Sequence, residues 1–370
     1  MDDDIPYLLL TPGPLTTSRT VRQAMLQDFC TWDDDYNSIV QEIRRDLVRI
    51  AGGGDYTCVL MQGSGTFTVE ATVGSVVPPD GKLLVVNNGA YGARMAEIAR
   101  RLRIPLTELT HEETEPADIR RMDAALRTDS AITHVAMVHC ETTTGMLNPA
   151  AEAGRLVRAH GKAFILDAMS SFGGIPFTVD EMDAGFLISS ANKCIQGVPG
   201  FGFVIARREA LDASRGHARS VSLDLYAQWR EMEDHGGKWR YTSPTHVVRA
   251  FRQALLELDE EGGVVARHER YRENHRRLVA GMERLGFRPL LAPELRSPLI
   301  TSFLYPDDPS FSFRPFYDAL KRRRFVIYPG KISRADTFRI GTIGHVVPGD
   351  IDALIDAVGA TVSELGFRTR

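Results

Sequence analysis

The sequence predicts an α/β protein, a large domain with a mainly parallel sheet followed by a smaller α+β domain at the C-terminal end. Short apolar runs alternate with helix-period stretches between residues 57 and 206. Five segments with useful chemistry each follow a strand-like run: residues 63–66, residues 88–91, residues 141–144, Asp167 and Lys193. Ligands collect at the carboxyl ends of strands in sheets of this kind, so these segments are expected along one edge. At 370 residues the chain also exceeds one typical domain, taken as ~150 residues.

The elements follow in order. Residues 5–14 end in Thr11-Pro12-Gly13-Pro14, a rigid turn whose prolines fix the backbone and whose glycine admits a ligand or another chain. Gly13 is the candidate substrate contact if a ligand takes that place, another chain being the alternative, and the plainer reading is a simple arm over residues 1–20. A helix starts near Thr17-Ser18, and Ile39, Ile43, Leu47 and Ile50 mark one face of a second. The acidic run Trp32-Asp33-Asp34-Asp35-Tyr36-Asn37 between them reads as a solvated loop. Residues 57–62 form a strand and 67–77 a helix, joined by Gly63-Ser64-Gly65-Thr66. Backbone N–H groups at that helix start, with the Ser64 and Thr66 hydroxyls, make an anion site. Such a turn is also common where no ligand binds, and it lacks both the P-loop lysine and the Rossmann glycine spacing.

Strands are then expected at 83–87, 106–109, 132–139 and 163–166, with helices at 90–101, 117–126 and 149–160 between them. Residues 184–190 and 201–206 are two more buried strands. Helices follow at 221–233 and 245–261, and an arginine-rich segment, 264–285, is expected to run between domains. Strands at 299–305, 325–328 and 337–340, with helices at 313–324 and 350–365, complete a small unit. The division is thus an arm over 1–20, a large domain over 21–262 and a small domain over 263–370.

Composition excludes several classes of function. A net charge of −4 gives no reason to expect nucleic acid or an anionic membrane as partner. Cys30, Cys58, Cys140 and Cys194 lie far apart without metal-ligand spacing, so neither a disulfide nor a metal site is expected. Met1-Asp2-Asp3-Asp4 is acidic where a signal peptide is basic, and no apolar run approaches the ~18 residues of a membrane span. A cytoplasmic protein with small soluble ligands is the expectation.

Lys193 stands between the 184–190 strand and a glycine-rich turn, and it is one of six lysines beside 38 arginines. Desolvation at such a strand end lowers an amine's pKa and frees the nucleophilic form for imine chemistry; a surface lysine at a turn is the plain alternative. Asp167, 26 residues earlier, suits a carboxylate that keeps a pyridine nitrogen protonated, and equally a helix cap or metal ligand. Tyr91 could stack on a ring or simply fill a core. Together they point to pyridoxal phosphate, held by Lys193 as a Schiff base.

These residues, with His139-Cys140-Glu141-Thr142-Thr143-Thr144-Gly145, Asp167-Ala168-Met169-Ser170-Ser171 and Ala191-Asn192-Lys193-Cys194-Ile195-Gln196-Gly197, make the chain resemble the class V aminotransferases of fold type I over nearly its whole length. The Trp-Asp-Asp-Asp-Tyr-Asn and Asn-Lys-Cys-Ile-Gln-Gly runs look like the members that act on a phosphonate. The resemblance implies Lys193 as the Schiff-base lysine, Asp167 on the pyridine nitrogen and Tyr91 against the ring. It places Ser64, Gly65 and Thr66 on the cofactor phosphate, Thr142 near the ring 3-hydroxyl, and Asn192 beside the cofactor. Arg339 would hold the substrate's acidic group. A homodimer is also implied, in which Trp239-Arg240-Tyr241-Thr242-Ser243-Pro244 of one subunit, Thr242 included, reaches the phosphate of the other. The implied reaction passes the amino group of 2-aminoethylphosphonate to pyruvate, giving phosphonoacetaldehyde and alanine. Two alternatives stand beside it: an alanine or serine:glyoxylate aminotransferase, and a non-catalytic protein that binds pyridoxal phosphate or a nucleotide.

Overall fold

The computed structural model describes residues 6–332 and 334–369; the acidic Met1-Asp2-Asp3-Asp4, on which the signal-peptide reading rests, lies outside them. Its centre is a seven-stranded sheet in the order Tyr56–Gln62, Phe201–Arg207, Phe186–Ser190, Ala163–Asp167, Ile132–Val138, Lys82–Asn87, Leu106–Thr110. The last five strands are parallel, and Phe201–Arg207 runs antiparallel to both its neighbours. Most strands are apolar on both faces, as a sheet buried on both sides requires. Helices Asp34–Ile50, Ile119–Thr128, Ala150–Ala159 and Thr245–Glu260 cover one face, where Val40, Leu47, Val157 and Phe251 join the larger core. Gly65–Val76, Ala90–Arg101 and Leu225–Asp234 cover the other, through Val69, Val73, Met95 and Trp229.

Past Gly262 the 22-residue helix Gly263–Arg284 leads to a three-stranded antiparallel sheet in the order Ile300–Leu304, Thr337–Gly341, Tyr328–Pro329. Helices Phe313–Arg322 and Pro348–Leu365 pack with it around Phe287, Phe303, Phe316 and Phe338. The arm joins this end of the molecule. Leu8–Leu9 pairs in parallel with Phe325–Val326, and Gly341 N donates to Leu10 O at 2.9 Å.

Two expectations need correction. The acidic run is not a loop throughout: Asp33 is the N-cap, and Asp34 and Asp35 form the first turn of Asp34–Ile50. Carboxylates are stabilising there beside the positive end of the helix dipole, while Tyr36 and Asn37 turn inward and are buried. The run at 325–328 is two strands in two sheets, because Phe325–Val326 pairs with the arm while Tyr328–Pro329 pairs with Thr337–Gly341. The helix Arg208–Asp212 and the two-residue pair Cys140–Glu141 and Met146–Leu147 lie outside the elements expected from sequence.

Candidate active site

Strand Phe186–Ser190 is buried throughout and delivers the chain into the turn that carries Lys193. Ser190 Oγ donates to Asn192 Oδ1 at 3.1 Å, and Gln196 N donates to Lys193 O at 2.7 Å, closing the turn. Lys193 Nζ donates to Pro12 O at 2.5 Å, so the arm crosses directly over the amine. Gly13 allows that crossing: its φ is +127°, and a Cβ there would lie 2.7 Å from Lys193 Nζ. Burial holds the ammonium down to a pKa of about 8, although Asp167 nearby favours the charged form.

Asp167 ends the neighbouring strand Ala163–Asp167 and lines the same cavity, which has a volume of about 510 Å³. Its Oδ1 accepts from Met169 N at 2.9 Å, which leaves Oδ2 for a ligand, and burial pushes the carboxyl up to a pKa of about 6. Across the cavity, Ser64 caps helix Gly65–Val76 by position without spending its hydroxyl on a capping bond. Gly63, at φ +111°, sets the entry to that helix, so N–H groups and two hydroxyls face the space.

Tyr91 begins helix Ala90–Arg101 and also lines the cavity. It is held from behind by Glu141, a fully buried carboxylate. Glu141 Oε2 accepts from Tyr91 N at 3.2 Å, while Oε1 accepts from Thr143 Oγ1 at 2.7 Å and Thr143 N at 3.2 Å. Burial raises the Glu141 pKa against these bonds.

The structure thus brings Lys193, Asp167, Ser64, Gly65, Thr66, Tyr91 and Asn192 around one cavity, with Gly13 against the amine. Thr142 and Arg339 stand behind that wall as a pair: Arg339 Nη1 donates to Thr142 O at 3.0 Å and Arg339 Nε to Pro329 O at 3.0 Å. Five N–H groups make up a guanidinium, so three remain. Thr142 is buried with no partner for its Oγ1. Thr242 is exposed and outside the cavity. Sequence reasoning missed two cations. Arg94 lines the cavity, donates from Nη1 to Thr66 Oγ1 at 3.1 Å and stacks 5.1 Å from the centre of the Tyr91 ring. Lys331 Nζ lies 5.5 Å from the centre of the same ring. The signal for Arg94 was its place three residues after Tyr91 on one helix face; Lys331 carried none.

A mainly parallel sheet with a half-buried, desolvated lysine after one strand end and a carboxylate at the next is the arrangement of the fold-type I enzymes, the aminotransferases among them. The aminotransferase class-V family model matches residues 26–308, and the chain belongs to that family. Among its relatives is the 2-aminoethylphosphonate–pyruvate transaminase of Syntrophobacter fumaroxidans, 62% identical over 362 residues, 98% of each chain. The enzyme of the same name from Vibrio vulnificus is 62% identical over 95% of this chain and 96% of its own. In fold, the chain is similar to the ureidoglycine–glyoxylate aminotransferase of Bacillus subtilis, with TM-score 0.90 and 22% identity over 99% of this chain and 95% of the other. The pyridoxamine–pyruvate aminotransferase of Mesorhizobium loti gives TM-score 0.89 at 22% identity, over 99% and 94%.

The cofactor of this aminotransferase is pyridoxal phosphate, and the residues present fit it. They offer a desolvated amine, a carboxylate with a free oxygen, a helix N-terminus with uncommitted Ser64, and the orphaned Thr142 Oγ1. Among the described residues no helix is long and apolar enough to cross a membrane, and no cluster of His, Cys, Asp or Glu suits a metal ion.

Proposed function

We propose that the chain transfers the amino group of 2-aminoethylphosphonate to pyruvate, yielding phosphonoacetaldehyde and L-alanine in two half-reactions. The observation that carries the chemistry is the placement of Lys193 and Asp167 at adjacent strand ends on one cavity walled by the Ser64-Gly65-Thr66 turn. The choice of substrates is supported by the two relatives at 62% identity, which carry that activity in their names.

Pyridoxal phosphate, when bound, supplies the electron sink that stabilises negative charge at the substrate's amine-bearing carbon. Lys193 supplies the amine that anchors it and, once displaced, the base that moves the proton from that carbon. With a pKa of about 8, about 10% of the amine is neutral at pH 7, against ~0.03% for an ordinary lysine. Asp167 would keep the ring nitrogen protonated. Ser64, Gly65 and Thr66 would hold the phosphate, with Asn192 beside the cofactor; Tyr91 would support the ring, and the unpartnered Thr142 Oγ1 would serve its hydroxyl. Arg339 directs its three spare N–H groups at the substrate anion, which is a phosphonate in one half-reaction and a carboxylate in the other.

The reading extends to a cytoplasmic homodimer. Thr242 lies outside the cavity of its own chain while its neighbour Ser243 is buried and bonded to Tyr36 Oη at 2.6 Å. Exposed Phe67, Val221 and Tyr241 accompany it, and Phe67 packs on Gly63 of the cavity wall. The domain division at 262/263 fits the break between helices Thr245–Glu260 and Gly263–Arg284. A side-by-side assay of 2-aminoethylphosphonate, L-alanine and L-serine as donors, with pyruvate and glyoxylate as acceptors, tests the function. Preference for L-serine and glyoxylate would overturn it. Protein that binds the cofactor and is not bleached by any donor would favour a non-catalytic role.

A further inference from the structure

We propose that Arg94 and Lys331, together with Arg339, form a subsite for a doubly charged phosphonate and thereby set donor selectivity. The inference rests on the transaminase reading above.

Arg94 and Lys331 reach the Tyr91 ring from different parts of the chain, one from helix Ala90–Arg101 and one from the loop after strand Tyr328–Pro329. Arg339 lies 5.7 Å from the centre of the Tyr328 ring, and its charge is felt at both Lys193 and Lys331. Lys331, exposed but with its stem partly desolvated, in turn loses some of its hold on its proton through that partial desolvation first, and then through Arg94 and Arg339. Two cations thus flank the Tyr91 ring at the cavity wall, with Arg339 close behind them over the ring of Tyr328.

Among the described residues neither Arg94 nor Lys331 is ion-paired with a carboxylate. Arg94 spends one bond on Thr66 and feels the buried Asp167, while Glu141, whose charge reaches Lys331 and Arg339, is buried and hydrogen-bonded to Tyr91 N and Thr143. Gathering like charges without a carboxylate in direct contact is unfavourable, and an anion that fits between them relieves it. A carboxylate carries one charge and is matched by Arg339 alone. A phosphonate carries up to two charges and three oxygens, more than one guanidinium with two N–H groups already committed can satisfy. The surplus of positive charge therefore selects for the phosphonate half of the reaction, while the carboxylate half needs only Arg339.

The test compares Arg94→Gln and Lys331→Met with the unaltered holoenzyme. Lys331 is exposed, so its substitution tests the idea without threatening the fold. The readout is the ratio of kcat/KM for 2-aminoethylphosphonate to kcat/KM for L-alanine, together with inhibition by ethylphosphonate and by propionate, and cofactor occupancy from the visible absorbance. Loss of a charge-assisted bond predicts a fall in the ratio on the order of tenfold to a hundredfold for each variant. Ethylphosphonate inhibition should weaken similarly and propionate inhibition much less. A ratio unchanged within about twofold would overturn the proposal. A ratio unchanged with falling cofactor occupancy in Arg94→Gln would also overturn it, assigning Arg94 to the cofactor phosphate. If the unaltered enzyme does not use 2-aminoethylphosphonate yet is inhibited by ethylphosphonate with the same sensitivity to both substitutions, the function fails and the subsite stands.

Discussion

The side-chain amide of Gln196 donates to Tyr271 Oη at 2.7 Å and so fastens the turn after Lys193 to helix Gly263–Arg284. The same amide donates to Gly344 O at 2.8 Å, and Gln196 is held at φ +69°, an uncommon conformation for a residue with a side chain. Tyr271 Oη also donates to Cys194 O at 3.4 Å and accepts from Gly344 N at 3.4 Å, while Arg267 Nη1 donates to Cys194 O at 2.8 Å. The lysine turn is therefore clamped between the long helix and the loop that follows strand Thr337–Gly341.

Tyr271→Phe should loosen this clamp while keeping the ring in the core. Loss of the buried hydroxyl leaves Gln196 with one fewer partner and costs ~1–2 kcal/mol, a fall of a few degrees in Tm. A position-dependent role also requires a shift in the pH midpoint of the visible spectrum, since the environment of Lys193 Nζ changes. A lower Tm with an unmoved midpoint and normal kcat would reduce Tyr271 to a core residue.

Asp167 should cost stability in the cofactor-free protein. Burial raises its folded-state pKa to about 6, from ~3.9 in an unfolded chain. The folded state therefore binds the proton more tightly, and stability falls as pH rises from about 4 to about 6, with the full penalty of ~3 kcal/mol present above that. Asp167→Asn removes the penalty, so the cofactor-free variant should resist urea better than the unaltered protein at pH 7 and no better at pH 4. In the holoenzyme the same change should lower kcat far more than cofactor occupancy, because the ring nitrogen loses its anionic partner. Equal urea midpoints at pH 7 would contradict the stability argument, and unchanged turnover would make Asp167 structural.

Much of this was legible because it depends on local pattern. Apolar runs of strand length, each followed by a glycine, hydroxyl or charged residue, place Ser64, Tyr91, Asp167 and Lys193 on one sheet edge, and all four line the one cavity. Asp34 and Asp35 were misjudged because an acidic run looks alike on a loop and in a first helical turn; the buried Tyr36 that distinguishes them is a tertiary fact. The 325–328 run was misjudged because a strand's partner is not written in its own residues. Arg94 was hidden for a related reason: helix Ala90–Arg101 also carries Arg100 and Arg101, so one inward guanidinium looked like part of a solvated stripe.

Thr242 offers a test of a shared active site. Trp239 and Ser243 on either side of it are buried while Thr242 is exposed, so the segment is fixed in place with Thr242 at the surface of its own chain. Thr242→Ala should weaken cofactor retention, and mixing it with Lys193→Ala subunits should restore activity to the hybrid dimers, one of whose sites would be intact. Mixtures that regain no activity after subunit exchange would indicate a site completed within a single chain.

Arg339 is the most constrained of the proposed substrate residues. Strand Thr337–Gly341 is buried throughout, and the guanidinium is fixed at two points, Pro329 O and Thr142 O, at 3.0 Å each. Those bonds present the remaining N–H groups in one orientation, so ordering the side chain costs little when the anion arrives. Arg339→Ala should lower kcat/KM by on the order of tenfold to a hundredfold or more, as charge-assisted bonds of ~1.5–3 kcal/mol are lost. It also releases two carbonyls, so a few degrees of Tm should fall with it. Arg339→Lys keeps a charge without the fork and cannot bond both carbonyls while reaching the anion; it should recover only part of the activity. Both half-reactions, measured separately with 2-aminoethylphosphonate and with pyruvate, should suffer, because one fixed guanidinium meets both anions. If only the phosphonate half is affected, pyruvate is held by another cation and the shared anchor is wrong.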